Sequence, residues 1–286
     1  CSSYDGTKIR KEHAGSTAIR DKTEEILWQR EPLGLNDCIR IAMENNLDTQ
    51  SAAIEKRIAG MERGIAFANF LPAVSVGYSD YEFDPAISLP LSETQTVDFD
   101  NIRSLVWSGS ISLFNPATWF LYGAHQRGEE IADYVLLYTQ QMTAMQVTAR
   151  YFDCLTLEQM EQSLTAQVEA AEAIQREVAS FRQEGLVPGW QADQAALQAQ
   201  ARRADLARTQ RMRRQADASL LATMGLSPMA KITLASQTPI EPPEGSMEEL
   251  ILEAMLSHPS LHIADRQIAI EKEKVKMAIA NFLPVL

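Results

Sequence analysis

The sequence predicts a mainly α-helical protein with a small β part, built as an internal repeat around a long antiparallel helical hairpin. Three observations predict it. Ala-Asn-Phe-Leu-Pro stands at Ala68–Pro72 and again at Ala280–Pro284, 212 residues later. A run of some 68 residues, from about 117 to 184, contains almost no helix breaker beyond Gly123 and Gly128. Two short segments, 73–82 and 104–114, change the apolar period from 3.6 to 2, the mark of strands.

Residues 1–34 are polar and lack periodicity, which predicts an extended or mobile leader. The chain opens on Cys1-Ser2-Ser3. A first-position cysteine is what signal-peptidase processing of a bacterial lipoprotein leaves, so Cys1 is the expected lipidation site, palmitate among its acyl chains. Ser2 in place of Asp fits sorting to the outer membrane. Cys38 and Cys154 fall inside helical patterns and are expected as buried free thiols, with a disulfide left open.

From Leu35 the positions Ile39, Ala42, Met43, Ile54, Ile58, Met61, Ile65 and Ala68 keep helical spacing. Pro72 ends the run, because proline cannot continue the hydrogen-bond ladder. The second copy matches in one ungapped register: Ile39/Ile251, Ala42/Ala254, Met43/Met255, Ala52/Ala264, Ile58/Ile270 and Ala66/Ala278. Ser246-Met-Glu-Glu249 opens that copy as a capping box. A long-period match of this kind means duplicated architecture.

In the strand segments Leu105, Trp107, Ile111 and Leu113 alternate with Ser104, Val106, Ser108, Ser110 and Ser112. Val74, Val76 and Tyr78 alternate with Ser75, Gly77 and Ser79. Small serines opposite large apolar residues fit transmembrane barrel strands. The lipid face is then Leu105, Trp107, Ile111 and Leu113, and the lumen face Ser104, Ser108, Ser110 and Ser112. Trp107 and Tyr78 could be interfacial aromatics. Between the segments, Glu82, Asp84, Glu93, Asp98 and Asp100 with Pro85 and Pro90 predict an acidic loop.

The uninterrupted run that follows spans about 100 Å at about 1.5 Å per residue. Gly185-Leu-Val-Pro-Gly189 breaks it, and a second helix is predicted from Trp190 to Met224, stopped by Gly225 and Pro228. Together these form the hairpin 117–224. The arginines from Arg202 to Arg214 read as a helix face paired with acids. A fold-back at Gly185 sets Arg202 and Arg203 near Glu169 and Glu172, and Arg211 to Arg214 near Glu158 and Glu161. Residues 226–246 are expected as a linker.

The organisation is therefore a leader (1–34), a first repeat (35–225), a linker (226–246) and the opening of a second repeat (247–286). That second repeat is expected to be truncated, since strands and a hairpin do not follow its Phe-Leu-Pro.

Net charge is −12, which speaks against a nucleic-acid surface. No apolar stretch reaches the roughly 18 residues of a transmembrane helix. No phosphate-cradling glycine loop or nucleophile elbow appears. His258 and His262 stand four apart but lack an acidic or Cys partner at metal-ligand spacing, and His13 and His125 are isolated. No enzyme, metal or cofactor is expected.

These residues resemble the TolC-like outer-membrane efflux proteins. The resemblance rests on Leu35 to Asn46, Ala68–Pro72 before a strand, and Leu113-Phe114 closing the next. It rests further on Ala149-Arg-Tyr-Phe-Asp153, Phe181-Arg-Gln-Glu-Gly-Leu-Val187 and the restart at 247–284. It implies a homotrimer whose protomers share one barrel in outer-membrane lipid, with long helices forming an α-barrel tunnel in the periplasm. It also implies partnership with a periplasmic adaptor and an inner-membrane transporter, the protein acting as a passive exit duct. The hairpin turn Gly185, Leu186 and Val187 would meet the adaptor: glycine permits the reversal, and two apolar residues offer a small patch. Gate residues belong to the second-repeat hairpin and have no counterpart here. A non-channel periplasmic coiled-coil adaptor, or a structural lipoprotein, shares the hairpin pattern but not the serine-faced strands.

Overall fold

A computed structural model describes residues 7, 23, 25–27, 32–92, 95–112, 114–235 and 245–284, with the backbone alone over 84–92 and 95–100. Cys1, Leu113 and the linker residues 236–244 lie outside the described residues. The elements are α1 (Leu35–Asn45), α2 (Leu47–Ala68), β1 (Ala73–Ser92), β2 (Gln95–Ser110), α3 (Pro116–Gln183), α4 (Gly189–Thr223), α5 (Met247–Ser257) and α6 (Pro259–Ala280). The chain divides into two compact units. One comprises Cys1–Ile54 with Val135–Pro259, the other Glu55–Tyr134 with Ser260–Leu286.

The repeat holds at the level of element boundaries. Both α1 and α5 have 11 residues, both α2 and α6 have 22, and each end is displaced by the same 212 positions. Each copy is also broken where one continuous helix was expected. Asn46 (φ −64°, ψ 131°) and His258 (φ −68°, ψ 119°) are extended. The causes differ. Asn46 Oδ1 accepts from the Asp48 and Thr49 amides at 2.9 and 3.1 Å, so its side chain caps α2. His258 precedes Pro259, which disfavours helical backbone at the preceding residue. The predicted capping box forms at α5: Ser246 N donates to Glu249 Oε2 at 2.8 Å, and Glu249 N donates to Ser246 Oγ at 3.3 Å. The two Phe-Leu-Pro segments close their helices alike. Phe70 N and Leu71 N donate three residues back at 3.0 Å each, and Phe282 N and Leu283 N do so at 3.1 and 2.9 Å.

In the first unit the core gathers Cys38, Ile41 and Ala42 of α1, Val147, Tyr151, Cys154 and Leu155 of α3, and Leu220 and Leu221 of α4, joined by Leu27, Leu33, Met224 and Leu226. Burying these side chains stabilises the unit by roughly 1.5–3 kcal/mol for each large aliphatic. Two regions expected to lack structure contribute to it. Thr23, Leu27 and Leu33 of the leader are buried. Leu33 pairs in parallel with Leu234, with Leu33 N donating to Thr233 O at 2.9 Å and Ala235 N to Leu33 O at 2.8 Å. Tyr151 Oη donates to Ala235 O at 2.7 Å. The leader and linker therefore clamp the core at 23, 27, 33 and 226–235. Isolated apolar residues in a polar stretch carry no period, so nothing in the sequence marks them as core.

The α3–α4 hairpin has the predicted register. Arg203 Nε meets Glu172 at 2.7 Å, and Arg213 bridges Glu158 at 3.2 Å and Glu161 at 2.9 Å. Arg202 instead pairs with Asp205, three residues along its own helix, at 3.7 Å.

In the second unit α3 is flanked by both repeat copies. One stripe faces α2: Lys56 meets Asp133 at 2.8 Å and Arg63 meets Glu129 at 2.6 Å. The next stripe faces α6: Arg266 meets Glu130 at 2.6 Å, His262 stacks on Tyr134 at 4.8 Å, and Lys276 lies 5.9 Å from the Phe120 ring.

β1 and β2 form an antiparallel ribbon running from Ala73↔Ser110 to Ser92↔Gln95. It corrects the predicted segments at both ends. Over its described residues the predicted acidic loop is strand, and the register shifts between Glu82 and Ile87. Pro85 falls within that irregularity, where a residue without an amide proton is tolerated. At the base β2 stops at Ser110, not 114. Its partner begins at Ala73, directly after Pro72, so Ile111 and Ser112 have no strand opposite them.

Candidate functional site

The ribbon places the predicted strand residues on two faces, since directly opposed residues of an antiparallel pair share a side. Ser75↔Ser108 and Ser79↔Ser104 lie on one side with Ala73↔Ser110 and Gly77↔Val106. The hydroxyls of the first two pairs bond across the strands at 2.7 Å each. The other side carries Val74↔Gly109, Val76↔Trp107 and Tyr78↔Leu105, all its large side chains exposed. Ser104, Ser108 and Ser110 are thus brought together, opposite Leu105 and Trp107. Ile111 and Ser112 sit beyond the strand end, and Leu113 lies outside the described residues. The segregation ends at Asp80↔Arg103, on the side of Val74. Arg103 Nε meets Asp80 Oδ2 at 3.1 Å, and Tyr78 Oη donates to the same carboxylate at 3.0 Å.

A second feature is the hairpin turn. Gly185 adopts φ 74°, Leu186 N donates to Phe181 O at 2.8 Å and Gly185 N to Arg182 O at 3.1 Å. This is the Schellman closure, which requires a left-handed residue where glycine stands. Arg182 Nη1 meets Asp193 Oδ1 at 3.3 Å and ties the two helices at the turn. Leu186 is 67% exposed, Val187 is half-buried, and Trp190 is 63% exposed. Sequence reasoning missed Trp190. The available signal was a lone aromatic in the first turn of an otherwise polar helix.

Chemistry elsewhere is sparse. Cys38 and Cys154 are free and buried. Burial pushes both thiols up to about 12, with the Asp37 carboxylate adding to the first and Asp217 to the second. His258 leans on Tyr138 at 6.4 Å, as His262 does on Tyr134, so both belong to helix packing. Among the described residues no group of three or more His, Cys, Asp or Glu is placed to hold a metal. Among them also, no helix is long and apolar enough to cross a membrane.

A serine-laddered ribbon set between long helices is similar in fold to solved structures of outer-membrane channels. The Campylobacter jejuni CmeC outer membrane channel has a TM-score of 0.75 at 18% identity, over 88% of this chain and 54% of that one. The Vibrio cholerae outer membrane protein VceC gives 0.68 at 15% identity, over 88% and 60%. The open-state Neisseria gonorrhoeae MtrE outer membrane channel gives 0.65 at 18%, over 88% and 55%. The chain spans a little over half the length of each. No protein-family model matches the sequence, and no curated protein matches it.

Proposed function

We propose that this chain is part of the outer-membrane channel component of a tripartite efflux or secretion system, a passive exit duct for substrates pumped by an inner-membrane transporter. The observation that carries the reading is the two-faced ribbon. Hydroxyl pairs at 2.7 Å line one side, exposed Val74, Val76, Leu105 and Trp107 line the other, and both strands lead directly into the helices of that fold. Ser104, Ser108 and Ser110 then face water in the lumen, and Leu105 and Trp107 face lipid. Residues 35–225 serve as one repeat and 247–286 as the opening of the next, joined by 226–246. Three copies share one barrel, the hairpin turn at Gly185, Leu186 and Val187 meets a periplasmic adaptor, and Cys1 carries acyl chains that hold the leader at the membrane. The protein supplies a path and performs no reaction.

The test is single-channel recording of the full-length protein in a planar bilayer. Stepwise, long-lived conductance is expected. Absence of conductance, together with tight binding to an inner-membrane pump, would replace the channel by a coiled-coil adaptor, which shares the hairpin and needs no pore.

A further inference from the structure

The band of chain without charge does not coincide with the ribbon. Asp, Glu, Lys and Arg are absent from Gly64 to Ser79 and from Ser104 to Gln126. On the strand side the band is closed by the Asp80–Arg103 pair at 3.1 Å. On the helix side it is closed by Arg63–Glu129 and Arg127–Glu130, each at 2.6 Å. Between these limits the ends of α2 and α3 join in an aromatic cluster. Phe70 packs against Trp119 at 5.0 Å and Tyr122 at 6.2 Å, and Phe67 against Phe70 at 5.9 Å and Tyr122 at 6.1 Å. The cluster is not sealed: Trp119 is 66% exposed, and Leu71, Ile111 and Phe114 around the strand base are exposed as well.

Lengths decide what this means. The seven residues Ala73–Ser79 give roughly 24 Å of strand at about 3.4 Å each. A barrel tilt of about 40° reduces that to roughly 18 Å of membrane depth, against an apolar belt of about 25 Å. The ribbon cannot lengthen the belt outward, because Asp80 and Arg103 stand on its apolar side. The shortfall of about 7 Å is a little more than one helical turn of about 5.4 Å. Phe67 and Phe70, like Trp119 and Tyr122, are three residues apart, a little under one turn.

Resting on the channel reading above, we infer that the aromatic ends of α2 and α3, with Trp119 foremost, sit in the inner lipid interface of the outer membrane and complete the belt that the ribbon leaves short. The membrane boundary then crosses the chain inside the helices and not at Pro72, and the ribbon beyond Asp80 stands outside the bilayer. An amphipathic indole at headgroup depth suits this position, and exposed Leu71, Ile111 and Phe114 lie close in the chain to the ribbon's base at Ala73↔Ser110.

Fluorescence quenching tests it. Trp28, Trp107, Trp119 and Trp190 are the four tryptophans. Trp→Phe substitutions that leave one of 107, 119 or 190 keep a ring at every site. Each full-length variant is reconstituted in phosphatidylcholine vesicles brominated near the headgroup or deep in the acyl chain, and its helix content is checked by circular dichroism. Trp119 is expected to lose at least about half its emission to the shallow bromines and markedly less to the deep ones. Trp107 should respond to both and Trp190 to neither. If Trp107 is quenched while Trp119 matches Trp190, the boundary lies at the strand base or another copy covers Trp119. The inference then fails and the channel reading stands. If neither Trp107 nor Trp119 is quenched in folded protein, the channel reading fails and takes the inference with it.

Discussion

Gly185 and Gly225 share one backbone angle, φ 74°, and differ in what surrounds them. A Cβ on Gly225 would lie 2.2 Å from Asn45 O, whereas at Gly185 no atom comes within 4 Å. Gly185→Ala should therefore cost only the left-handed penalty, about 1 kcal/mol. Gly225→Ala adds overpacking against the end of α1, for about 3 kcal/mol in total. Urea unfolding of the two variants reads the difference directly, and equal losses would contradict the close approach. The buried thiols give a second test at this scale. Cys38 and Cys154 hold their protons up to about 12, while an unperturbed thiol ionises near 9.0. Only the thiolate attacks a disulfide reagent, so at pH 8 the folded protein should react at least about 100-fold more slowly than in urea. The sign for stability follows from linkage. Both groups are neutral in either state well below 9.0, and stability falls as pH climbs through 9.0 towards about 12 because the unfolded chain releases its protons first.

Ion pairs and caps fix the register and the ends of the elements, while the buried core supplies most of their stability. Arg213 holds the Glu161 carboxyl below the usual carboxylate range, chiefly through its hydrogen bond, and also meets Glu158. Arg213→Ala should lower stability by about 1 kcal/mol near neutral pH. The deficit should vanish as pH falls through the lowered carboxyl pKa, which denaturant titrations at neutral and at strongly acid pH would show. That register was legible in the sequence because a single glycine turn fixes which arginine meets which acid. The helix boundaries, the capping box and the alternation at Ser104–Ser108 were legible for the same reason: each is local. The break at Asn46 was less so, since a capping asparagine looks like any helical asparagine until its amide partners are known. The long reach of the ribbon was hidden by prolines that a register shift accommodates. The two stripes of α3, one for each repeat copy, depend on non-local packing, and no periodicity distinguishes them.

For the whole molecule, the serine-faced ribbon defines the proposed conduit and the hairpin turn its proposed docking point. Leu186 is exposed and contributes no core contact, so Leu186→Asp should leave unfolding within about 0.5 kcal/mol of the parent. In the proposed assembly it should weaken adaptor capture at least about tenfold, with Trp190→Ala having a comparable effect. Conductance in a bilayer should be unchanged in both variants, and a parallel loss of conductance and capture would point to misfolding of the hairpin instead.

The hydroxyl pairs Ser75–Ser108 and Ser79–Ser104 have a consequence for what such a conduit can discriminate. In each pair either oxygen can be the donor, so two proton arrangements with opposed O–H directions are open to each. A wall made of such rotors has no built-in polarity. It turns its hydrogens towards an anion and its lone pairs towards a cation, answering whatever passes. In the proposed channel, selection by charge then has to reside elsewhere along the path, and this stretch of wall would act as a liquid-like solvent held in place.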